Sequence, residues 1–355
     1  MTEHVPKAAL YYFPASVWCA PPLLALEEKG YAADEVDLKL VDISKGENYV
    51  PSYLRLNPQA TVPTLVVPLQ KTLGPDMESR YKAIQDSKSI VEFLDKSRST
   101  QSRTHTTSDA PAPSLSPATI AFSAVSTKLI DLLHSPAADP NAIKYMNARD
   151  ADALRALAAS VRPTQAARRA AIAQLLADNQ EARIRVSEKT RVFWEAKKLA
   201  TEKLLDVYDD ADTPTEKLND QARARREAFL KDAADAWLRV RDVLTELNQA
   251  ILGPYVLGDQ LSLADLHLAA WLARVASLAG GTLADDGASV VGKLEAHVGG
   301  GFALVKDFSV AEARRRAGLP VADPESKDRQ NRLAAFWDAV RERPSFKKVY
   351  KDGLH

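Results

Sequence analysis

At 355 residues, 46% hydrophobic and 26% charged, the chain can bury one large core or two ordinary ones, and disorder as the whole answer is excluded. Lysine plus arginine number 47 and aspartate plus glutamate 47, so no net field recruits nucleic acid, an anionic bilayer or acidic ligands, and any anion site has to be local. A single cysteine, Cys19, rules out an internal disulfide and a zinc site built on several thiolates, and points to a reducing compartment. The start, Met1–Lys7, lacks the apolar core of a signal peptide, and the apolar stretch Leu263–Leu278 is interrupted by Asp265, His267 and Arg274. The expectation is a cytoplasmic protein with no membrane, metal or nucleic-acid partner.

In chain order, Ala9–Phe13 reads as a strand, Pro22–Lys29 as a helix and Asp37–Asp42 as an alternating strand. Thr64–Pro68 and Tyr81–Ile84 are strand-like, Gln70–Arg80 between them reads as a widened turn, and Ser87–Lys96 is helical. Residues 8–96 are therefore expected to form a small α/β domain. Residues 97–118 are rich in serine, threonine and proline and poor in large apolar residues, which predicts an interdomain linker. Residues 119–355 space their apolar positions at three and four, over Thr119–Leu133, Ala148–Val161, Pro163–Asp178, Glu181–Tyr208, Lys217–Leu252, Ser262–Leu278 and Arg329–Arg341. This second domain is expected to be all-α, with insertions at about 139–210 and 280–327. Within the first insertion, Ile184, Val192, Leu199, Leu204 and Val207 predict a broken apolar stripe on a packed helix.

Three segments carry chemistry. Tyr11 to Cys19 runs from a strand into a small-residue turn with Ser16 at its tip and a helix beyond, where an anion would be stabilised; read alone, Ser16 is more often an ordinary helix cap. Pro21-Pro22 cannot lie inside a helix, so that helix is expected to start near Ala20. Asn57-Pro58-Gln59-Ala60-Thr61-Val62-Pro63-Thr64-Leu65 precedes the third strand, and Gln85-Asp86-Ser87-Lys88-Ser89 opens a helix with an acid and a hydroxyl. Farther on, Gly258 to Asp265 contains Ser262 and Asp265 at capping-box spacing, which concerns folding rather than chemistry. Gly287 to Lys293 fits a phosphate-loop spacing but lacks the following hydroxyl and a preceding strand, and His267 is expected to pack rather than ligate.

In this order the segments resemble the cytosolic glutathione transferases of the serine type, in particular the delta and theta classes. The resemblance implies a fold of class α/β plus all-α: a thioredoxin-like N-terminal domain followed by an all-helical C-terminal domain, here enlarged. It implies glutathione as co-substrate, no metal, and a homodimer. Carried over residue by residue, Ser16 is the catalytic hydroxyl and Val62, before a cis Pro63, pairs its backbone with the cysteinyl part. Asp86 takes the ammonium of the γ-glutamyl group, and Ser87, with Lys88 beside it, takes the carboxylate. Ala60 stands where the delta class has a histidine, so Asn48, Tyr49 or Gln59 is expected to hold the glycyl end. The hydrophobic electrophile is expected beside Trp18, against Ile120, Val125, Leu129 and Leu133. Two alternatives stay open: a thioltransferase using Cys19 as nucleophile, and a non-enzymatic carrier of the kind formed by the animal ganglioside-induced differentiation-associated proteins, which also enlarge the helical domain.

Overall fold

The computed structural model describes residues 7–68, 81–99 and 107–355. Strand β1 (Ala8–Tyr12) leads through a 3-10 turn, Val17–Cys19, into α1 (Ala20–Glu28). Pro21 and Pro22 fall in the first helical turn, where the missing N–H groups would have had no intrahelical acceptor, and this sets the start at Ala20 as expected. β2 (Val36–Leu40) pairs parallel to β1; α2 (Pro51–Leu54) is short; β3 (Thr64–Pro68) and β4 (Tyr81–Ile84) complete a sheet of order β2-β1-β3-β4. β3 runs antiparallel to both of its neighbours. α3 (Ser87–Ser97) returns to pack with α1, and Leu10, Leu24, Leu65, Ile90 and Leu94 close the core between them. The widened turn expected at Gln70–Arg80 lies outside the described residues.

The helical domain comprises α4 (Ile120–Leu133), α5 (Pro140–Met146), α6 (Ala151–Gln180), α7 (Glu188–Asp209), α8 (Asp220–Ala250), α9 (Leu263–Leu278), α10 (Gly287–Val298), α11 (Val310–Arg316), α12 (Arg332–Arg341) and α13 (Pro344–Val349). A two-residue ladder, β5 (Phe308–Ser309) with β6 (Arg329–Gln330), braces α11. α9 is apolar nearly all round and buried from Leu263 to Ala276, as a central helix must be. Its N-terminus is closed by the expected box: Asp265 accepts from the Ser262 N–H and hydroxyl, both at 2.6 Å, and from the Val256 N–H at 2.7 Å. No helix among the described residues is long and apolar enough to cross a membrane.

The structure adds detail to these readings of the sequence. Residues 107–118 are a packed joint rather than a loose tether: Leu115 is buried, and the buried Lys29–Asp95 pair, 2.8 Å apart, is wired into the segment. Asp95 accepts from the backbone N–H groups of Leu115 and Ser116, while Lys29 donates to the Pro113 carbonyl. Ala148–Val161 and Pro163–Asp178 merge into the single α6, since Pro163 removes one ladder bond without ending a helix held along its flank by α7. The 280–327 segment contributes Val290, Val291, Leu294 and Leu304 to the main core, and Gly287 to Lys293 lies within α10. A Cβ on Gly287 would stand 2.1 Å from the Ala334 carbonyl oxygen, so the glycine serves the close approach of α10 and α12.

The 139–210 insertion is helical, but its buried stripe differs from the expected one. Val207 is buried and Ile184 and Leu204 are packed as expected, but Val192 and Leu199 are half exposed, and Trp194, Thr201, Leu205 and Tyr208 also face inward at helical spacing. The α6–α7 hairpin leans back onto the N-terminal domain. There Trp194 and Ile172 enclose Tyr49 and Ala60, and the Trp194 indole N–H donates to the Tyr49 carbonyl at 3.0 Å. Arg168 donates to the Tyr49 hydroxyl at 2.7 Å.

Candidate active site

The sheet register brings the three chemical segments to one edge. Tyr11 at the end of β1 faces Thr64 at the start of β3, and Leu65 faces Ile84 at the end of β4, so the Ser16 turn, the Val62–Pro63 step and the N-terminus of α3 open side by side. The Val62–Pro63 bond is cis. Among the described residues, the backbone N–H and C=O of Val62 take no protein partner, whereas the neighbouring Thr61 carbonyl is held by Tyr53 and Asn57. Asp86 caps α3 through the Ser89 N–H at 2.8 Å, and Ser87 is buried beneath it. The Gln85 amide donates to the Leu56 carbonyl, fixing this corner against the segment after α2.

Ser16 precedes the 3-10 turn in extended conformation, and its side chain makes no cap bond to the helix. The half-buried hydroxyl lies instead against the sulfur of Cys19. Cys19 is fully buried with Val41, Tyr53 and Val62, and this burial pushes its thiol up to about 12, against the lowering contacts of the Phe13 N–H and Ser16. A thiol so placed is protonated at any physiological pH.

The helical domain grips both flanks of the turn. Arg274 on α9 donates to the Ala15 carbonyl at 2.9 Å. Trp18, just past Ser16, stacks on His134 at the end of α4, with centroids 3.8 Å apart and planes at 21°, and His134 shares a hydrogen bond of 3.0 Å with His267 on α9. Burial pushes His134 down to about 4, with Lys88 adding to the effect and Asp86 and Asp131 opposing it. His267, wholly buried, is pushed well below the ordinary range by burial and then by His134. Both rings are neutral near pH 7. Lys88 bridges the domains through Asp131 at 2.6 Å.

Ser16, Val62, Pro63, Asp86, Ser87 and Lys88 are thus brought together, while other residues named from the sequence are set apart. Tyr49 is buried and its hydroxyl is engaged by Arg168; Asn48 is buried and donates to the Ala60 carbonyl at 2.7 Å; Gln59 is exposed. Leu129 and Leu133 point into the main core, and Ile120 is 92% exposed at the far end of α4, so only Trp18 stands at the turn and the half-buried Val125 lies between. His134 and Arg274 were not singled out from the sequence, although His267 and Arg274 lie seven residues apart, on one face of α9.

Residues 10–102 match the family described as Glutathione S-transferase, N-terminal domain. Over 64 residues the chain is 44% identical to the tetrachloro-p-hydroquinone reductive dehalogenase of Sphingobium chlorophenolicum; the match spans 18% of this chain and about a quarter (25%) of that relative's length. Among solved structures, the β-etherase LigF from Sphingobium sp. strain SYK-6 superposes with a TM-score of 0.50 at 16% identity, covering 98% of this chain and 100% of that one. Glutathione transferase F2 of Populus trichocarpa gives 0.47 at 14% identity, with 98% of each chain covered. The N-terminal residues thus match the glutathione S-transferase N-terminal domain, and the chain carries that fold, a thioredoxin-like sheet domain followed by a large helical one.

Proposed function

We propose that the protein is a glutathione transferase in which the Ser16 hydroxyl donates a hydrogen bond to the glutathione sulfur and so favours its thiolate. The observation that carries this reading is the Ser16 side chain, which makes no cap bond at the turn leading into α1 and lies on the same side of the sheet as the unpaired Val62 backbone and the α3 N-terminus. The thiol proton leaves to solvent, and the thiolate forms a bond to the electrophile as its leaving group departs with the bonding pair. Val62 pairs with the cysteinyl backbone and Pro63 holds it there. Asp86 takes the ammonium, and Ser87 with the first N–H groups of α3 takes the γ-glutamyl carboxylate, Lys88 adding positive charge. Gln59, exposed beside the site, is the residue left for the glycyl end, since Asn48 and Tyr49 are engaged elsewhere. The second substrate rests against Trp18.

The protein acts in this reading as a cytoplasmic homodimer, whose pairing surface lies outside the patch around Tyr49 that α6 and α7 already cover. Capture on immobilised glutathione, followed by a panel of chlorinated hydroquinones, aryl ethers, activated halides and peroxides, tests the function. Retention with turnover supports it; retention with no turnover of any substrate replaces it with a carrier role.

A further inference from the structure

Behind the Ser16 turn, α5, α9 and the segment after α13 bring together two cations without a carboxylate partner and two polar side chains with an unpaired buried atom. Arg274, only 3% exposed, reaches from the Ala15 carbonyl to Asn141 Oδ1, 3.4 Å away. Lys144 stands one turn beyond Asn141 on the same face of α5 and is half-buried. Among the described residues, neither cation has a carboxylate within ion-pair distance. Tyr350 is fully buried and its hydroxyl has no hydrogen-bond partner; the His355 ring lies 4.8 Å from it, and its buried Nε2 has none either.

An enclosed charge is costly unless an opposite charge or full hydrogen bonding compensates it, and two neighbouring cations raise that cost. Burial and the neighbouring charges act together on these groups. Burial and then Arg274 push Lys144 down to about 8, and burial, Arg274 and Lys144 push His355 down, partly opposed by its bond to the Gly353 carbonyl and by Asp352. The other titratable groups facing Arg274 are Tyr145 and Asp139, and Asp139 is already engaged as the cap of α5, accepting from the Asn141 N–H. The compensation that fits two cations, a phenol and an imidazole is an anion with two or more acceptor oxygens.

We propose that Lys144, Arg274, Tyr350 and His355 form a carboxylate-binding subsite, and that the electrophile taken up beside Ser16 carries an anionic group. The substrate part of this proposal rests on the transferase reading, whereas anion binding at the cluster does not. Two chloroarenes that react alike separate the effects: neutral 1-chloro-2,4-dinitrobenzene and anionic 4-chloro-3,5-dinitrobenzoate. In each the sulfur–carbon bond forms, the carbon–chlorine bond breaks with both electrons leaving on chloride, and the thiol proton goes to solvent. Lys144→Gln is expected to lower the ratio of kcat/KM for the benzoate to that for the neutral arene about tenfold, with Tyr350→Phe lowering it less and Lys144→Arg restoring it. Calorimetric titration with unreactive 4-nitrobenzoate reads the subsite directly, and Lys144→Gln should weaken its Kd about tenfold. Nitrobenzoate binding that depends on Lys144, without turnover of either arene, upholds the subsite and removes the transferase reading. Turnover of both arenes at a ratio unmoved by Lys144→Gln, absence of nitrobenzoate binding, or binding indifferent to Lys144 overturns the proposal.

Discussion

Ser16 and Cys19 share one turn and touch each other, yet burial gives them opposite chemistry. A thiol held up at about 12 is a poor nucleophile, whereas the half-buried hydroxyl can exchange its contact with Cys19 for one with a ligand sulfur. Activating glutathione near neutral pH requires its thiol pKa to fall by about one to two units, roughly 1.4 to 2.7 kcal/mol. One hydrogen bond to a charged acceptor supplies about 1.5 to 3 kcal/mol, and the helix terminus adds a smaller share. Ser16→Ala is therefore expected to raise the apparent pKa of bound glutathione and to cut kcat about ten- to a hundredfold, at nearly unchanged glutathione affinity. Pre-steady-state thiolate absorbance and steady-state kinetics check this. Cys19→Ser should conjugate nearly as the parent does, and native Cys19 should resist iodoacetamide until the chain unfolds; loss of activity in Cys19→Ser together with a normal Ser16→Ala would install the thioltransferase reading.

At the scale of elements, the histidines report on packing. Burial pushes His134 and His297 down to about 4, and pushes His267 well below the ordinary value near 6.5. Because the folded values are depressed, the unfolded chain binds more protons between about pH 6.5 and 4; the stability these groups confer is complete above 6.5 and is lost as pH falls through that window. The urea midpoint should drop between pH 7 and 5, and drop less steeply in His267→Gln. The α6–α7 hairpin makes a separate test. Trp194 is fully buried between it and the N-terminal domain, so Trp194→Ala should cost about 3 to 5 kcal/mol and speed amide exchange across both helices.

For the molecule as a whole, legibility followed sequence distance. Ser16, Val62, Asp86 and the Ser262–Asp265 box each sit in a short local pattern, and the order of those patterns carried the fold. His134 meets His267 across 133 residues, and Arg274 meets Ala15 across 259; no local spacing encodes such a meeting. Val192 and Leu199 on α7 were misread for a related reason, since which face of an amphipathic helix is buried depends on the surface it meets, here Tyr49 and Ala60 of the other domain. In the serine- and proline-rich joint, one apolar residue, Leu115, and one buried ion pair supply the packing that its composition did not signal.

The two domains are also clamped far from the turn, where Arg343 on the helical side holds Glu28 of α1 through two bonds of 2.5 and 2.6 Å, and one core runs through both. This gives the bracketing of Ser16 by α9 a wider meaning. His267 acts through His134 on Trp18, two residues past the serine, and Arg274 acts on the carbonyl just before it, so a helix of the other half of the chain braces both sides of the turn. The reactive corner is in that sense a seam rather than a possession of the thioredoxin-like unit. A copy of that unit cut free would keep its sheet and its serine but would lose the outside hold on the loop. Any substitution that tilts α9, however remote from glutathione, would be felt first as a change in how the sulfur is received.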